Sequence, residues 1–168
     1  DIYENIKKVG TDRNLIISYH HEAMFKSSIK MFLAKPLLGH GSKMFRQLCN
    51  HEDYVVNIEG RDVDISNHSC STHPHNIYLE LLAEQGIIGF LIIFSLFIYF
   101  FIKLLMNSYY SLFGIYNKLI SDPQIYLISI MIIYLFPLNV SMSFFNNWSS
   151  ILFYFTLGIY ISGILDEK

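Results

Sequence analysis

The sequence predicts an all-α, polytopic membrane protein with a largely helical extracytoplasmic loop region and three C-terminal transmembrane helices. Two observations carry this. Over half of the 168 residues are apolar and 16% are aromatic, above the usual soluble composition. The polar side chains are also segregated. Residues 1–85 hold all seven histidines, nine of the twelve Lys and Arg and eleven of the fourteen Asp and Glu. The expected division is therefore a loop region over 1–86 and a membrane region over 87–168. The net charge is −2 and no basic stripe is present, so nucleic-acid binding is not expected. The sequence starts without Met, basic n-region or apolar h-region, so no signal peptide is read there. With a membrane half still to be inserted, it is expected to be a fragment with earlier spans upstream.

The first span is read at about 87–106, IIGFLIIFSLFIYFFIKLLM, twenty residues with Lys103 as the one charge. A helix of that length covers about 30 Å, the hydrocarbon thickness. Lys103, near its end, can snorkel to the headgroups. The second is read at about 125–143 and is interrupted by Pro137, Asn139, Ser141 and Ser143. Proline removes a backbone donor, so a kinked or broken end facing protein or water is expected. Phe144–Ser150 reads as an interfacial turn with Trp148 as anchor. The third span, about 149–165, holds Gly158, Ser162 and Gly163, small residues that favour close helix approach. Three spans put residues 1–86 and the C-terminus on opposite sides. The 107–124 link carries Lys118 and Asp122, with Lys103 just before it, a faint positive-inside signal for that link.

In the polar half, residues 13–35 read as an amphipathic helix with Phe25, Ile29, Phe32 and Leu33 at helical spacing. It could lie on the membrane surface or pack as an ordinary soluble helix. Pro36 stops it, and Gly39 and Gly41 allow a tight turn or close backbone approach. Cys49 and Cys70 bracket a turn-rich stretch. In an oxidising compartment they would form a disulfide, and in a reducing one two free thiols. The bridge is the expectation, and closing that loop contributes roughly 3 kcal/mol by chain entropy.

The sharpest local feature is Ser71–Gly89, STHPHNIYLELLAEQGIIG. Thr72 or Asn76 can cap a helix and Pro74 suits its first turn. Gly86 would end that helix or bend it into the first span, and Gly89 shares a face with it. The feature thus sits where polar loop meets bilayer. Residues two apart on a helix diverge by roughly 160°, so His73 and His75 are not expected to share a target, and His73 reads as structural. Glu80 and Glu84 share a face, read as solvated rather than as an acid–base pair.

His75-Asn76, nine residues, then Gly86-x-x-Gly89 resembles the signature of the O-antigen ligase and polymerase family, as does the upstream PLLGHGSKMFR. Phe45-Arg46, the two cysteines and Thr72–Asn76 resemble a polymerase-like subgroup, and Phe136–Trp148 also fits. The resemblance spans about residues 20–165. It implies a metal-independent glycosyltransferase of the bacterial inner membrane, multi-pass, with no cofactor and with residues 1–86 in the periplasm. The implied donor is a glycan linked to undecaprenyl pyrophosphate. The implied acceptor is a sugar hydroxyl on a second lipid-linked glycan or on lipid A-core, with polymerase favoured over ligase. By position in the motif, His75 and Arg46 are the implied catalytic residues. Asn76, Arg61 and Arg13 are candidates for substrate binding, and Cys49, Cys70, Gly86 and Gly89 are structural.

The chemistry suits these types. A neutral imidazole takes a proton from an attacking hydroxyl, and a guanidinium matches pyrophosphate oxygens as a fork. Two other readings compete. Cys70, His68, His73 and His75 could ligate zinc, but at no standard spacing. A non-enzymatic transport or scaffold component of glycan export would suit the broken second span, although no ionisable side chain lies near the centre of any span.

Overall fold

The computed structural model describes residues 19–56, 70–113 and 120–166, and among these it is all helical with no strand. Five helices follow in order: α1 Tyr19–Ala34, α2 Phe45–Leu48, α3 Ile77–Leu112, α4 Asp122–Tyr134 and α5 Asn147–Asp166. α1 and α2 pack on α3, α3 packs on α4, and α4 on α5.

α1 buries a face different from the expected one. Ala23, Met24, Ser27, Ser28 and Met31 are buried, whereas Ile29 and Leu33 are 44% and 68% exposed. Met24 and Met31 of α1 pack with fully buried Ala83 of α3. Residues 13–18 of the expected helix lie outside the described residues. The chain leaves the helix at Lys35, as Pro36 requires of the residue before it.

Asn76 caps α3. Its Oδ1 accepts from the amides of Tyr78 and Leu79 at 3.1 Å each, satisfying two orphan donors of the first turn. At Gly86 the backbone leaves helical geometry (φ 64°, ψ −165°) and then resumes it. α3 is the one helix among the described residues long and apolar enough to cross a membrane.

α4 covers only the first part of the apolar run read at 125–143. It ends at Tyr134 after 13 residues, about 20 Å by helical rise. The rest of the expected 125–143 span becomes turns, because its polar and backbone groups bond to the start of α3. α5 begins at Asn147, with Trp148 exposed. Phe97, Phe100, Ile128, Met131 and Phe153 form the core among α3, α4 and α5. Lys103 does not simply reach outward: its Nζ donates to Tyr160 Oη of α5 at 3.1 Å. Among the described residues a Cβ on Gly158 would meet nothing within 4 Å, whereas one on Gly163 would meet Gln124 Nε2 of α4 at 3.7 Å.

Candidate active site at the helix break

Breaking a helix at one residue frees two amides and the two carbonyls they would have met. Here the freed amides are those of Ile87 and Ile88, and the freed carbonyls those of Ala83 and Glu84. The Pro36–Gly41 turn satisfies all four. Ile87 N donates to Pro36 O at 2.8 Å and Ile88 N to Leu37 O at 3.5 Å. Ala83 O accepts from His40 N at 3.1 Å and Glu84 O from Gly41 N at 2.8 Å. Two backbones can meet this closely only without side chains between them. A Cβ on Gly39 would stand 2.4 Å from Glu84 C, and one on Gly86 2.4 Å from Leu37 O. Both glycines also have positive φ, at 67° and 64°, where other residues are strained. A Cβ on Gly89 would meet Gln85 Cβ at 2.3 Å. The two glycine motifs are thus halves of one joint.

The second approach to α3 is made by Leu135–Asn146. Asn76 Nδ2 donates to Pro137 O at 2.8 Å and Tyr78 Oη to Leu135 O at 2.6 Å. Ser141 N donates to His75 O at 3.0 Å. His73 Nε2 pairs with Ser141 O at 3.2 Å, and its Nδ1 with Thr72 Oγ1 at 2.9 Å. The Ser141 carbonyl can only accept, so it puts a proton on His73 Nε2. Both groups of the Asn76 amide are engaged within the protein, which gives it a clear structural task.

The histidines do meet, against expectation. The His73 and His75 ring centroids are 4.3 Å apart, and His21 of α1 stands edge-on to His75 at 5.4 Å. The divergence expected on a helix does not apply, because α3 starts only at Ile77 and His75 has φ 58°. Burial holds the His75 imidazole below its ordinary 6.5, with His73 and His21 adding to the effect. Burial lowers His73 likewise, partly offset by the Ser141 carbonyl.

Glu80 and Glu84 are not a solvated face. They are 2% and 1% exposed, ahead of the expected span that starts at Ile87. Glu84 accepts from the amides of Lys43 and Phe45. Glu80 accepts from Ser143 Oγ and from Phe144 N at 2.7 Å. Burial pushes Glu80 up to about 7 and raises Glu84 as well. Folded Glu80 therefore keeps a proton that the unfolded chain releases near 4.5. Its contribution to stability is fully present below that value and is lost as pH rises to about 7.

The donor sets predict different responses to amide substitution. In Glu84→Gln the new NH2 faces only N–H donors, so destabilisation of about 1–3 kcal/mol is expected. In Glu80→Gln the Ser143 hydroxyl can turn and accept, so the change is expected to stay within about 1 kcal/mol. It should also flatten the loss of stability between pH 4.5 and 7. Thermal unfolding of the two detergent-solubilised variants at several pH values checks both outcomes.

Arg46 is exposed on α2 and acts electrostatically on Glu84. No hydrogen bond, ion pair or ring contact joins it to His75. Arg13 and Arg61 lie outside the described residues. Cys49 and Cys70 form a disulfide with Cα atoms 5.1 Å apart, tying α2 to the strand of chain that leads into Ser71–Asn76. Among the described residues no group of three or more His, Cys, Asp or Glu could hold a metal ion. Sequence reasoning missed His21, whose place beside His75 depends on how α1 packs. It also missed the burial of Glu80 and Glu84, for which their i, i+4 spacing was the one available sign.

Residues 15–94, a little under half of the chain, match the family model described as O-Antigen ligase. No curated protein and no solved structure matches the chain.

Proposed function

We propose, from the match of residues 15–94 to the O-antigen ligase family model, that this protein is a glycosyltransferase of bacterial surface-polysaccharide assembly. It transfers or polymerises saccharides carried on undecaprenyl pyrophosphate, and the polymerase reading is preferred for its likeness to the cysteine-flanked subgroup. His75 carries the proposal. It lies inside the matched segment, immediately before the helix that enters the bilayer, where a lipid-linked head group is presented. Its imidazole, held below 6.5, is neutral at pH 7 and free to take a proton.

In the proposed reaction the acceptor hydroxyl gives its proton to His75 as its oxygen attacks the anomeric carbon. The bond from that carbon to the pyrophosphate oxygen breaks, and the electron pair leaves with the lipid pyrophosphate. Arg46 pairs with the charge developing there. Arg13 and Arg61 are assigned to substrate binding beside it. Asn76 holds the His75 loop by its cap and can orient a sugar only at the expense of that role. No metal or cofactor is invoked.

The reading places residues 1–86 in the periplasm of a multi-pass inner-membrane protein with spans near 87–106 and 149–165, and with the shorter apolar helix Asp122–Tyr134 in place of the 125–143 span. The Cys49–Cys70 bridge supports that side, since disulfides persist in oxidising compartments. Deleting the gene and resolving the surface glycan on gels tests the function. Loss of long chains with a single repeat retained is the expected, polymerase result. Loss of all surface-attached glycan, with lipid-linked polymer accumulating, would indicate a ligase. An unchanged glycan would end the proposal.

A further inference from the structure

We infer that Glu80 and Glu84 are positioning residues that set the separation between Arg46 and His75, an inference that rests on the roles proposed for those two. One turn of α3 carries both carboxylates, about 6 Å apart along the axis by helical rise. Each grips a different loop by two donors. Glu84 holds the amides of Lys43 and Phe45, directly before Arg46. Phe45 is fully buried and Cys49, four residues on, is bridged to Cys70, so the register of α2 is fixed on both sides of Arg46.

Glu80 holds Ser143 and Phe144. From there the chain reaches Ser141, whose amide bonds to the His75 carbonyl and whose carbonyl receives His73 Nε2. Neither carboxylate makes a hydrogen bond or ion pair with His75 or Arg46. Each acts through the backbone it anchors. Burying two carboxylates is costly unless each is fully hydrogen-bonded, and loop-anchoring is what these four bonds accomplish. The turn that bears the pair is stiff, because the Pro36–Gly41 turn clamps the break just beyond it.

Glu84→Asp and Glu80→Asp keep the carboxyl group and both its oxygens while drawing one loop toward the helix by a methylene. The test uses the full-length protein in liposomes, with undecaprenyl-pyrophosphate-linked repeat units extracted from cells lacking the protein as donor. Glu84→Asp should raise the donor KM about tenfold with kcat within about threefold, as a displaced pyrophosphate clamp would. Glu80→Asp should lower kcat about tenfold with KM within about threefold, as a displaced base would. A spin-label pair on the exposed sites Gln47→Cys and Val140→Cys, one on the segment held by Glu84 and one on the loop held by Glu80, reports the geometry without turnover. Its distance should shift in both Asp variants and stay unchanged in Glu22→Asp, whose residue is ion-paired with Lys26 on α1. An unshifted distance, or an equal loss of KM and kcat function in both variants, would overturn the inference. Absence of turnover in the wild-type protein would instead count against the proposed function, and the label distances would still decide the inference.

Discussion

Substituting alanine for Gly86, or for Gly39, is expected to cost more than any other single-methyl change in the described part of the chain. Each added Cβ would stand 2.4 Å from backbone atoms of the opposite segment, and backbone cannot swing aside as a side chain can. Each site also has positive φ, which adds about 1 kcal/mol or more for a residue with a Cβ. Separating the segments would release four backbone pairings at once, in a place where a lost partner costs about 1–3 kcal/mol each. The expected result is a loss of more than about 3 kcal/mol, read as a much lower thermal midpoint or failure to accumulate in the membrane. Gly41→Ala is the internal comparison. Its Cβ would meet only the Met44 side chain at 3.5 Å, so the strain of its φ of 103° is the main cost. Equal accumulation of all three variants would show that the joint is not closed as described.

The joint also marks the limit of what the sequence discloses. Gly86 announces a bend, and Pro36-Leu37-Leu38-Gly39 announces a turn, each from local chemistry. That one is the complement of the other is a tertiary fact, and no periodicity carries it. The end of α1 before Pro36 was legible, and the cap of α3 was legible as Thr72 or Asn76, since each depends on neighbours within four residues. The pairing of Cys49 with Cys70 was legible for another reason, as there were two cysteines and one possible bridge. The buried face of α1 was not. Large apolar residues normally mark the inside, but here Ala23, Ser27 and Ser28 are buried together with Met24 and Met31 while Ile29 and Leu33 stay exposed.

The site shows the same division. His75 and Arg46 came from the family resemblance, and the structure joins the two by no direct contact. Reading the histidines on helical spacing separated His73 from His75, whereas an extended approach to the Asn76 cap and a left-handed His75 bring them together. Glu80 and Glu84 looked like surface residues, because an i, i+4 carboxylate pair on a helix usually is one. Their burial follows from two loops that return from sequence positions some forty and sixty residues away. The early end of α4 has the same origin. Leu135–Asn146 forsakes helical pairing because His73, His75, Asn76, Tyr78 and Glu80 offer its polar groups partners.

Replacing His75 by alanine is expected to reduce sugar transfer by about 10²–10⁴-fold, the usual contribution of a general base. The fold should survive. His75 contributes its backbone carbonyl to Ser141, which alanine retains, and its ring lies only partly buried beside His21 and His73. The loss should fall on kcat, with donor KM little changed, because the proton moves only as the glycosidic bond breaks. Wild-type protein should hold its rate to below pH 6.5 before declining, because the imidazole is kept neutral to lower pH than usual. The decisive measurement is kcat against pH for purified full-length wild-type and His75→Ala protein in liposomes, supplied with lipid-pyrophosphate-linked glycan. The account predicts an acid limb below pH 6.5 in the wild type, and in the variant a residual rate with that limb gone. Transfer by His75→Ala at the wild-type rate, with the same acid limb, would contradict it.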